Sequence, residues 1–207
     1  MKNCNLYVIL DKEAVGNKDM LEVASRILRG GADIIQLRDK ISPDAILIEE
    51  ARALERLARK YKRIFVVNDR ADIARLVDAG GVHLGQEDMP IKHARKILPR
   101  KIIGISTHNL RQALKAQREG ADYIGVGPIF KSPSKTKSQP IGPAVLKQVR
   151  ERLSIPFFAI GGINAKKVRY LKNMGVDRIA VISAAIRSKN IYNSTNLLKR
   201  ELERSEG

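Results

Sequence analysis

The chain has 207 residues, of which 43% are hydrophobic and 29% are charged. This length suits one domain with a sizeable core, and the composition is ordinary for a globular enzyme. No apolar run approaches the roughly 18 to 20 residues that a membrane span needs, and Asp11 interrupts the first run too early for a secretory signal. Cys4 is the single cysteine, which excludes an internal disulfide. We expect a cytoplasmic protein with no membrane partner, one domain over residues 1–207 and a flexible tail at 204–207.

The formal net charge of +17 predicts a strongly positive surface. Such a surface attracts nucleic acid, an anionic membrane or phosphorylated small molecules. Only 4% of the residues are aromatic, which leaves few rings on which single-stranded bases can stack. The basic residues are also scattered along the chain rather than gathered in one tract. These features favour a solvated basic surface over a nucleic-acid interface.

Short apolar runs alternate with helical patterns along the whole chain. Strands separated by helices are typical of βαβ units and a parallel sheet. A Gly-Ala/Val-Asp step precedes three of the runs, which indicates one unit used many times. The predicted strands are 5–10, 34–37, 64–67, 81–84, 102–105, 123–126, 157–160 and 179–182.

Eight such units in this length predict a single (β/α)8 TIM barrel, an α/β fold. An open doubly wound sheet is the alternative, but it would need a glycine-rich fingerprint where the chain reads Asp-Lys-Glu-Ala at 11–14. Ser42, Asn109 and Asn164 are predicted helix N-caps, and residues 191–203 form a closing helix. The glycines at 30–31, 80–81, 120 and 175 are expected to end helices in the left-handed conformation.

Polar residues follow the second predicted strand, at the end where barrel enzymes keep their sites. A period of two places Gln36 and Arg38 on one face of this strand. If the opposite, apolar face packs on the helices, both side chains point into the barrel mouth, and Lys40 lies just beyond. A planar guanidinium suits diphosphate oxygens, so we favour anion binding by Arg38 over a strand-end salt bridge, for example to Asp39.

Two carboxylates follow the third and fourth predicted strands. Asp69 and Asp88 should lie close enough at the mouth to share one ion, and two carboxylates with open positions for phosphate oxygens are typical of magnesium sites. Aspartates also cap helices often. The pattern alone leaves both interpretations open.

The remaining strand ends carry hydroxyl groups, lysines and glycines. Ser106 either donates to a ligand or caps a helix, whereas a histidine such as His108 near a helix start is more often structural. Residues 127–142 form the longest irregular stretch, which predicts either a phosphate-binding lid or a solvated loop. The glycines at 161–162 and the run before Ser183 favour a phosphate site after the seventh and eighth strands.

Six segments together resemble the thiamine-phosphate synthase family in order and spacing, from Tyr7 to about Ile186. These segments are Gln36-Leu37-Arg38-Asp39-Lys40, Asn68-Asp69-Arg70, the octapeptide at 81–88, Gly104-Ile105-Ser106, the hexapeptide at 125–130 and the pentapeptide at 159–163. The resemblance implies a transferase that condenses 4-amino-2-methyl-5-(diphosphooxymethyl)pyrimidine with a thiazole phosphate to give thiamine phosphate. Its partners are then phosphorylated small molecules and not nucleic acid. The oligomeric state is left open, and a homo-oligomer is compatible with the sequence.

The resemblance also implies the roles of individual residues. Asp69 and Asp88 would bind one Mg²⁺ per subunit, and Arg38, Lys40 and Lys135 would stabilise the departing diphosphate. The implied substrate-binding residues are Gln36, Leu37, Arg38, Asp39, Lys40, Asn68, Ser106 and Lys135 for the pyrimidine diphosphate, and Ser132, Pro133, Ser134, Gly162, Ile182 and Ser183 for the thiazole phosphate.

One loop departs from the family pattern, and several rivals remain. The chain has Ser132-Pro133-Ser134-Lys135 where the family usually has Thr-x-Thr-Lys, and Lys137 competes with Lys135 for the phosphate. The nearest rival is a thiazole tautomerase, an isomerase on the same barrel whose members tend to lack the two carboxylates and the Gln-x-Arg-x-Lys signature. Phosphate-binding barrels of tryptophan or histidine biosynthesis and a basic RNA-binding module are more distant alternatives.

Overall fold

The computed structural model describes residue 1, residues 3–131 and residues 139–204. Eight parallel strands close into a barrel in chain order, each paired with the next and the last with the first. The (β/α)8 prediction is therefore confirmed. The strands are β1 Leu6–Asp11, β2 Ile34–Arg38, β3 Ile64–Asn68, β4 Gly81–Leu84, β5 Ile102–Thr107, β6 Tyr123–Val126, β7 Phe157–Ile160 and β8 Ile179–Val181.

Helices connect the strands and cover the barrel. The helices are α1 Lys12–Val15, α2 Met20–Arg29, α3 Asp44–Lys60, α4 Ala71–Leu76, α5 Ile91–Ile97, α6 Leu110–Arg118, α7 Ala144–Arg152, α8 Ala165–Asn173, α9 Ser183–Ile186 and α10 Ile191–Glu203. The closing helix has the predicted bounds. The strands match their predicted bounds to within two residues; β8 ends one residue early because the chain turns into α9 at Ile182.

The helix-cap predictions hold in part. Asn109 and Asn164 accept hydrogen bonds from backbone N–H groups in the first turns of α6 and α8. The Ser42 prediction is wrong: α3 begins after Pro43 without a side-chain cap, and the Ser42 N–H donates to Asp39 instead. The prediction that a glycine at 80–81 takes the left-handed conformation after α4 is wrong. Asp78 has the positive φ there, at 56°.

The repeated Gly-Ala/Val-Asp step has a structural explanation at two of its three positions. Asp33, just before β2, accepts hydrogen bonds from the Asn5 and Leu6 N–H groups at 3.0 and 3.1 Å. Asp122, just before β6, accepts one from the Ile103 N–H at 2.8 Å. Each carboxylate therefore joins its own strand to the start of the preceding one. Because these contacts lie at the amino-terminal end of the barrel, they stabilise the fold and leave the opposite end free for a site.

Side chains alternate between the outside and the inside of the barrel wall. Ile35 and Leu37 point outward into the core between barrel and helices, whereas Ile34 belongs to a separate cluster inside the barrel. This arrangement confirms that the apolar face of β2 packs on the helices and that Gln36 faces inward. The inner cluster consists of Tyr7, Ile9, Ile34, Val66, Tyr123, Phe158 and Ala180.

Within the described ranges, no helix is long and apolar enough to cross a membrane. Of the tail predicted at 204–207, only Arg204 lies among the described residues.

Candidate active site

The end of β2 presents its polar side chains to the barrel mouth, as predicted. Gln36 is buried, with 1% of its surface exposed, and its Nε2 donates to the Tyr7 hydroxyl at 2.6 Å. Arg38 is half-buried and forms an ion pair with Asp11 at the end of β1. Strand pairing places Arg38 directly opposite Asp11. The strand-end salt bridge that the sequence left as the alternative therefore forms, but with Asp11 on the neighbouring strand and not with Asp39.

Asp39 folds back on its own loop. Its Oδ1 accepts hydrogen bonds from the backbone N–H groups of Ile41 and Ser42, both at 2.9 Å. Burial opposes ionisation, but hydrogen bonds from Ser42 and Ile41 outweigh it and lower the pKa of this carboxyl. Lys12 Nζ lies 3.9 Å from the other carboxylate oxygen. Asp39 is thus an ionised residue that shapes the turn between β2 and α3.

Asp69 and Asp88 are brought together, as the sequence predicts. Burial and a hydrogen bond between the two carboxyl groups raise the pKa of Asp69, whereas a hydrogen bond from Lys40 opposes this change. Lys40 Nζ lies 2.9 Å from Asp69 Oδ2. Two carboxyl groups this close cannot both ionise easily without a cation between or beside them. Burial opposes the ionisation of Asp88, but hydrogen bonds from Asp69 and the Gly85 N–H outweigh it and lower the pKa of Asp88. The cost of ionising the pair therefore falls on Asp69, and Lys40 offsets only part of it.

The capping interpretation of these two aspartates is wrong. The N-caps of α4 and α5 are Arg70 and Pro90, and neither helix start has a side-chain cap. Asp88 accepts from the Gly85 N–H at 2.6 Å, within its own loop. Asp69 has a positive φ of 61°, which is uncommon for a residue other than glycine. Backbone strain of this kind often accompanies functional sites.

These two carboxylates fit a magnesium ion by their chemistry. Among the described residues, no group of three or more His, Cys, Asp or Glu side chains could hold a metal. Mg²⁺ in proteins commonly uses only one or two carboxylates together with water and substrate phosphates. Asp69 and Asp88 are such a set of hard oxygen ligands, held side by side.

Asn68 and Ser106 lie on the same half of the mouth. Asn68 ends β3 and pairs in register with His83 on β4. Ser106 lies in β5, and its Oγ is 2.9 Å from His83 Nε2. Ser106 therefore does not cap the next helix, whose N-cap is Asn109.

A pocket, named the glycine pocket after Gly161 and Gly162, lies on the opposite side of the mouth, between the ends of β7 and β8. Gly162, Ile182 and Ser183 line this cavity of about 400 Å³, together with Lys167 and Lys131. The sequence thus predicted correctly that these residues come together. Lys167 was missed, because a lysine in the first turn of a helix gives no distinctive pattern. Its ammonium donates to the Gly162 carbonyl at 2.6 Å and lies over the Phe130 ring.

The predicted lid falls largely outside the described residues. Ser132, Pro133, Ser134, Lys135 and Lys137 all lie there, so their roles remain predictions. The flanking segments are described. Phe130 N–H donates to the Gly161 carbonyl at 3.1 Å, and Ile141 N–H donates to the Pro128 carbonyl at 2.8 Å. The two ends of the loop are therefore attached at the β6 and β7 side of the mouth.

Three polar residues inside the barrel were not predicted from the sequence. Tyr7, His83 and Tyr123 form hydrogen bonds below the mouth. The alternation of side chains along a strand could have placed Tyr7 and Tyr123 inside the barrel. It could not have predicted their contact with each other, because they are 116 residues apart in the sequence. His108 is exposed and bonds the Gly127 carbonyl through Nδ1 at 2.5 Å, which agrees with a structural role.

Comparisons with known proteins agree with this geometry. The family model for thiamine monophosphate synthase matches residues 6–185. The thiamine-phosphate synthase of Shouchella clausii is 44% identical over 205 residues, 98% of either chain. That of Pyrococcus furiosus is 42% identical over 198 residues, 96% of this chain and 94% of its own.

Solved structures give the same result. The thiamine phosphate pyrophosphorylase structure from Pyrococcus furiosus superposes with a TM-score of 0.90 at 41% identity and covers 96% of this chain and 95% of its own. A 3-hexulose-6-phosphate synthase, at 16% identity and a TM-score of 0.70, shares the fold alone. The matched residues 6–185 run from the start of β1 into α9 and include both carboxylates and the glycine pocket. The chain therefore belongs to the thiamine monophosphate synthase family.

Proposed function

We propose that this enzyme is a transferase that joins 4-amino-2-methyl-5-(diphosphooxymethyl)pyrimidine to a thiazole phosphate and releases diphosphate and thiamine phosphate. The arrangement of the mouth carries the proposal. Lys40, Asp69 and Asp88 lie beyond β2, β3 and β4 respectively, and the glycine pocket lies beyond β7 and β8. Strands three and seven are on opposite sides of an eight-stranded barrel. The mouth therefore offers a separate binding region on each side, one for each phosphorylated substrate.

In this reaction the carbon–oxygen bond to the diphosphate breaks, and the diphosphate leaves with the electron pair. The thiazole nitrogen then supplies the electron pair of the new carbon–nitrogen bond. Arg38 and Lys40 stabilise the negative charge that develops on the leaving group, because preformed cations at the mouth need no reorganisation. The reaction requires no protein nucleophile. The barrel's contribution is to bind, orient and balance charge.

We propose that Asp69 and Asp88 hold one Mg²⁺, and that Lys40 partly neutralises Asp69 before the metal binds. A bound Mg²⁺ would neutralise the diphosphate and favour its departure. The like-charge contact between the two carboxyl groups, the positive φ of Asp69 and the absence of a capping role all support this assignment.

The glycine pocket is assigned to the thiazole phosphate. Gly161 and Gly162 both have positive φ, and Lys167 lies at the edge of the same pocket. Glycines allow the backbone to approach a phosphate closely, and phosphate sites after strands seven and eight are frequent in this fold. Ser183 is the first residue of α9, on the wall of the same cavity.

The isomerase alternative is not favoured, because the curated relatives that cover nearly the whole chain are synthases. The reaction itself is the test. We expect diphosphate release and thiamine phosphate formation to require both substrates and Mg²⁺. Product analysis by chromatography, with and without metal, measures this. A folded, magnesium-supplied protein that rearranges a thiazole phosphate but makes no thiamine phosphate would instead establish the isomerase.

Gly162→Ala should raise the KM for the thiazole phosphate at least about tenfold. A Cβ at this position would lie 2.3 Å from the Lys131 carbonyl oxygen, and φ is +61°. The floor of the pocket must therefore move. Steady-state kinetics with each substrate varied in turn measure the effect, and the KM for the pyrimidine diphosphate should change little.

Gly120→Ala is the matched control. Its φ is +93°, but a Cβ at this position would have no described heavy atom within 4 Å beyond the neighbouring residues of the chain, so it shares the strain without the contact. It lies at the amino-terminal end of the barrel, beyond α6. Equal effects of both variants on the KM for the thiazole phosphate would show that its phosphate does not bind in the glycine pocket.

A further inference from the structure

Asp69 lies at the centre of a tight turn between β3 and α4. The Arg70 N–H donates to the Asn68 carbonyl at 2.7 Å, and the φ of Asp69, the residue between them, is 61°. These features are those of a γ-turn of the strained type, which is rare. The Asp69 N–H also donates to the His83 carbonyl of β4 at 2.8 Å. The Asp69 carboxylate therefore projects from a backbone conformation that the surrounding structure must maintain.

The side chain of Arg70, the last residue of this γ-turn, is held by two carboxylates. Its Nη1 and Nη2 donate to the two oxygens of Asp44 at 2.6 and 3.0 Å. Its Nε and Nη2 donate to the two oxygens of Asp72 at 3.0 and 2.7 Å. Asp44 is the first residue of α3, and Asp72 lies in the first turn of α4. These three residues are named the rim network, and they attach the γ-turn to the starts of two helices.

The rim network is exposed, with 36% of the Arg70 side chain and 65% of the Asp44 side chain accessible to solvent. Isolated ion pairs on a surface contribute little to stability, but bidentate pairs and pairs that form a network are the exceptions. Both conditions are met here, because the two bidentate pairs share one guanidinium. A planar guanidinium that is bonded through all of its nitrogens has little freedom of orientation. The network can therefore fix the position of Arg70 while adding little to the total free energy of unfolding.

The rim network also joins the two loops that carry Lys40 and Asp69. Asp44 ends the loop after β2, and Arg70 belongs to the turn after β3. The same two loops meet inside the mouth, where Lys40 Nζ is 2.9 Å from Asp69 Oδ2. In the proposed reaction Lys40 binds the diphosphate and Asp69 binds Mg²⁺, so this inner contact is exchanged for contacts with the ligands. The outer contact between Arg70 and Asp44 uses neither group and is kept.

We propose that Arg70 and Asp44 are positioning residues for the metal site, which hold the γ-turn of Asp69 and keep the loops after β2 and β3 side by side while the substrates bind. The inference rests on the proposed function. A γ-turn that relaxes presents its carboxylate in the binding geometry for only part of the time. The apparent affinity for Mg²⁺ then falls in proportion to that fraction. Arg70 contacts no substrate in this role and acts through Asp69.

Arg70→Gln tests this role, because it removes the guanidinium and both bidentate pairs. We expect the Mg²⁺ concentration at half-maximal rate to rise about fivefold, with kcat at saturating Mg²⁺ and the KM for the thiazole phosphate nearly unchanged. Losing a positive charge beside two carboxylates would by itself strengthen Mg²⁺ binding, so the expected change is opposite in sign to a charge effect. Arg70→Lys keeps the charge but cannot form bidentate pairs, and it should weaken the Mg²⁺ response in the same direction. Steady-state rates over a magnesium series measure both variants.

Amide hydrogen exchange gives a second readout that needs neither metal nor substrate. In substrate-free Arg70→Gln, the protection of the Asp69 N–H should fall about fivefold, because its bond to the His83 carbonyl depends on the same turn. The Ile103 N–H, which is bonded to Asp122 at the amino-terminal end of the barrel, should keep its protection. Exchange measured residue by residue by NMR compares these two amides in one sample.

Arg169→Gln is the matched control, because it breaks a bidentate pair with Glu201 that joins α8 to α10, away from β3. Both readouts should then equal those of the wild type. An unchanged or stronger Mg²⁺ response in folded Arg70→Gln would overturn the positioning role, and so would unchanged protection of the Asp69 N–H. If Arg70→Gln does not fold, Asp44→Asn takes its place in the exchange measurement, where the charge that it removes has no metal to affect.

The proposed function can fail separately from the positioning role. Wild-type protein that forms no thiamine phosphate from both substrates and Mg²⁺ refutes the proposed function, and the exchange measurement then still decides whether Arg70 holds the γ-turn. Normal wild-type turnover, with both readouts unaltered in Arg70→Gln, refutes the positioning role alone.

Discussion

Asp69→Asn is expected to lower kcat for thiamine phosphate formation at least about 100-fold, with the barrel still folded. The asparagine keeps the size and one oxygen of the aspartate but removes a negative charge from the pair with Asp88. The proposed Mg²⁺ then loses one of its two carboxylate ligands. Raising the Mg²⁺ concentration should restore part of the rate. Initial rates over a magnesium series measure both effects.

The stability of this variant should change in the opposite direction. Burial and Asp88 raise the pKa of Asp69 in the folded state, so ionising it costs stability as pH rises above its ordinary value of about 3.9. Removing the charge should therefore leave the free energy of unfolding unchanged or higher at neutral pH, and the difference should shrink in acid. Asparagine also tolerates the positive φ at this position. Denaturant unfolding at pH 7 and pH 4 measures this.

Asp177→Asn is the matched control for both measurements. Asp177 lies just before β8, with 65% of its side chain exposed, at the amino-terminal end of the barrel. Folded Asp69→Asn could instead show the same magnesium-dependent turnover as Asp177→Asn. That result would show that Asp69 is not a metal ligand.

Arg38→Gln is the second variant with a large expected effect, a loss of turnover of about 100-fold or more. The guanidinium would no longer balance the charge that builds on the departing diphosphate. The variant also leaves Asp11, of which 6% is exposed, without its ion-pair partner. An unpaired buried carboxylate costs on the order of 1 to 3 kcal/mol of stability. Both kcat and the unfolding midpoint should therefore fall.

A double variant separates these two losses. Adding Asp11→Asn to Arg38→Gln removes the unpaired charge, so stability should recover while turnover stays low. Arg52→Gln, an exposed change on α3, controls for the general loss of positive charge. If the double variant regained both stability and activity, Arg38 would be only the structural partner of Asp11.

Periodicity in the sequence determined the architecture. Eight apolar runs at regular spacing predicted the strands, because a buried parallel strand needs apolar residues on both faces wherever it occurs. The same spacing placed Gln36, Arg38, Asp69, Asp88 and Ser106 at the carboxyl ends of strands. Parallel strands bring those ends to one face, so the sequence also predicted that these residues meet. Only the lid residues at 132–138 remain predictions of this kind without a described position.

Local patterns were less reliable where side chains had a choice of partner. Ser42 precedes a proline and an acid, as a helix cap would, yet the backbone around it is organised by Asp39. Asp69 and Asp88 fit a capping role and a metal role equally well in sequence. The structure excludes the capping role, because Asp88 accepts its hydrogen bond from a loop N–H, Asp69 lies beside another carboxyl group, and neither helix start has a side-chain cap. The metal role stays a prediction.

The sequence by itself determined the barrel, the family and the set of residues at its mouth, because these depend on period and order along the chain. Only the tertiary structure decided the partners of those residues. Arg38 pairs with Asp11 across neighbouring strands, and Tyr7 contacts Tyr123 from another part of the chain. Such contacts depend on strand register and on space left by a glycine such as Gly104. Neither the register nor that space has a signature in a single sequence, since both arise when the barrel closes.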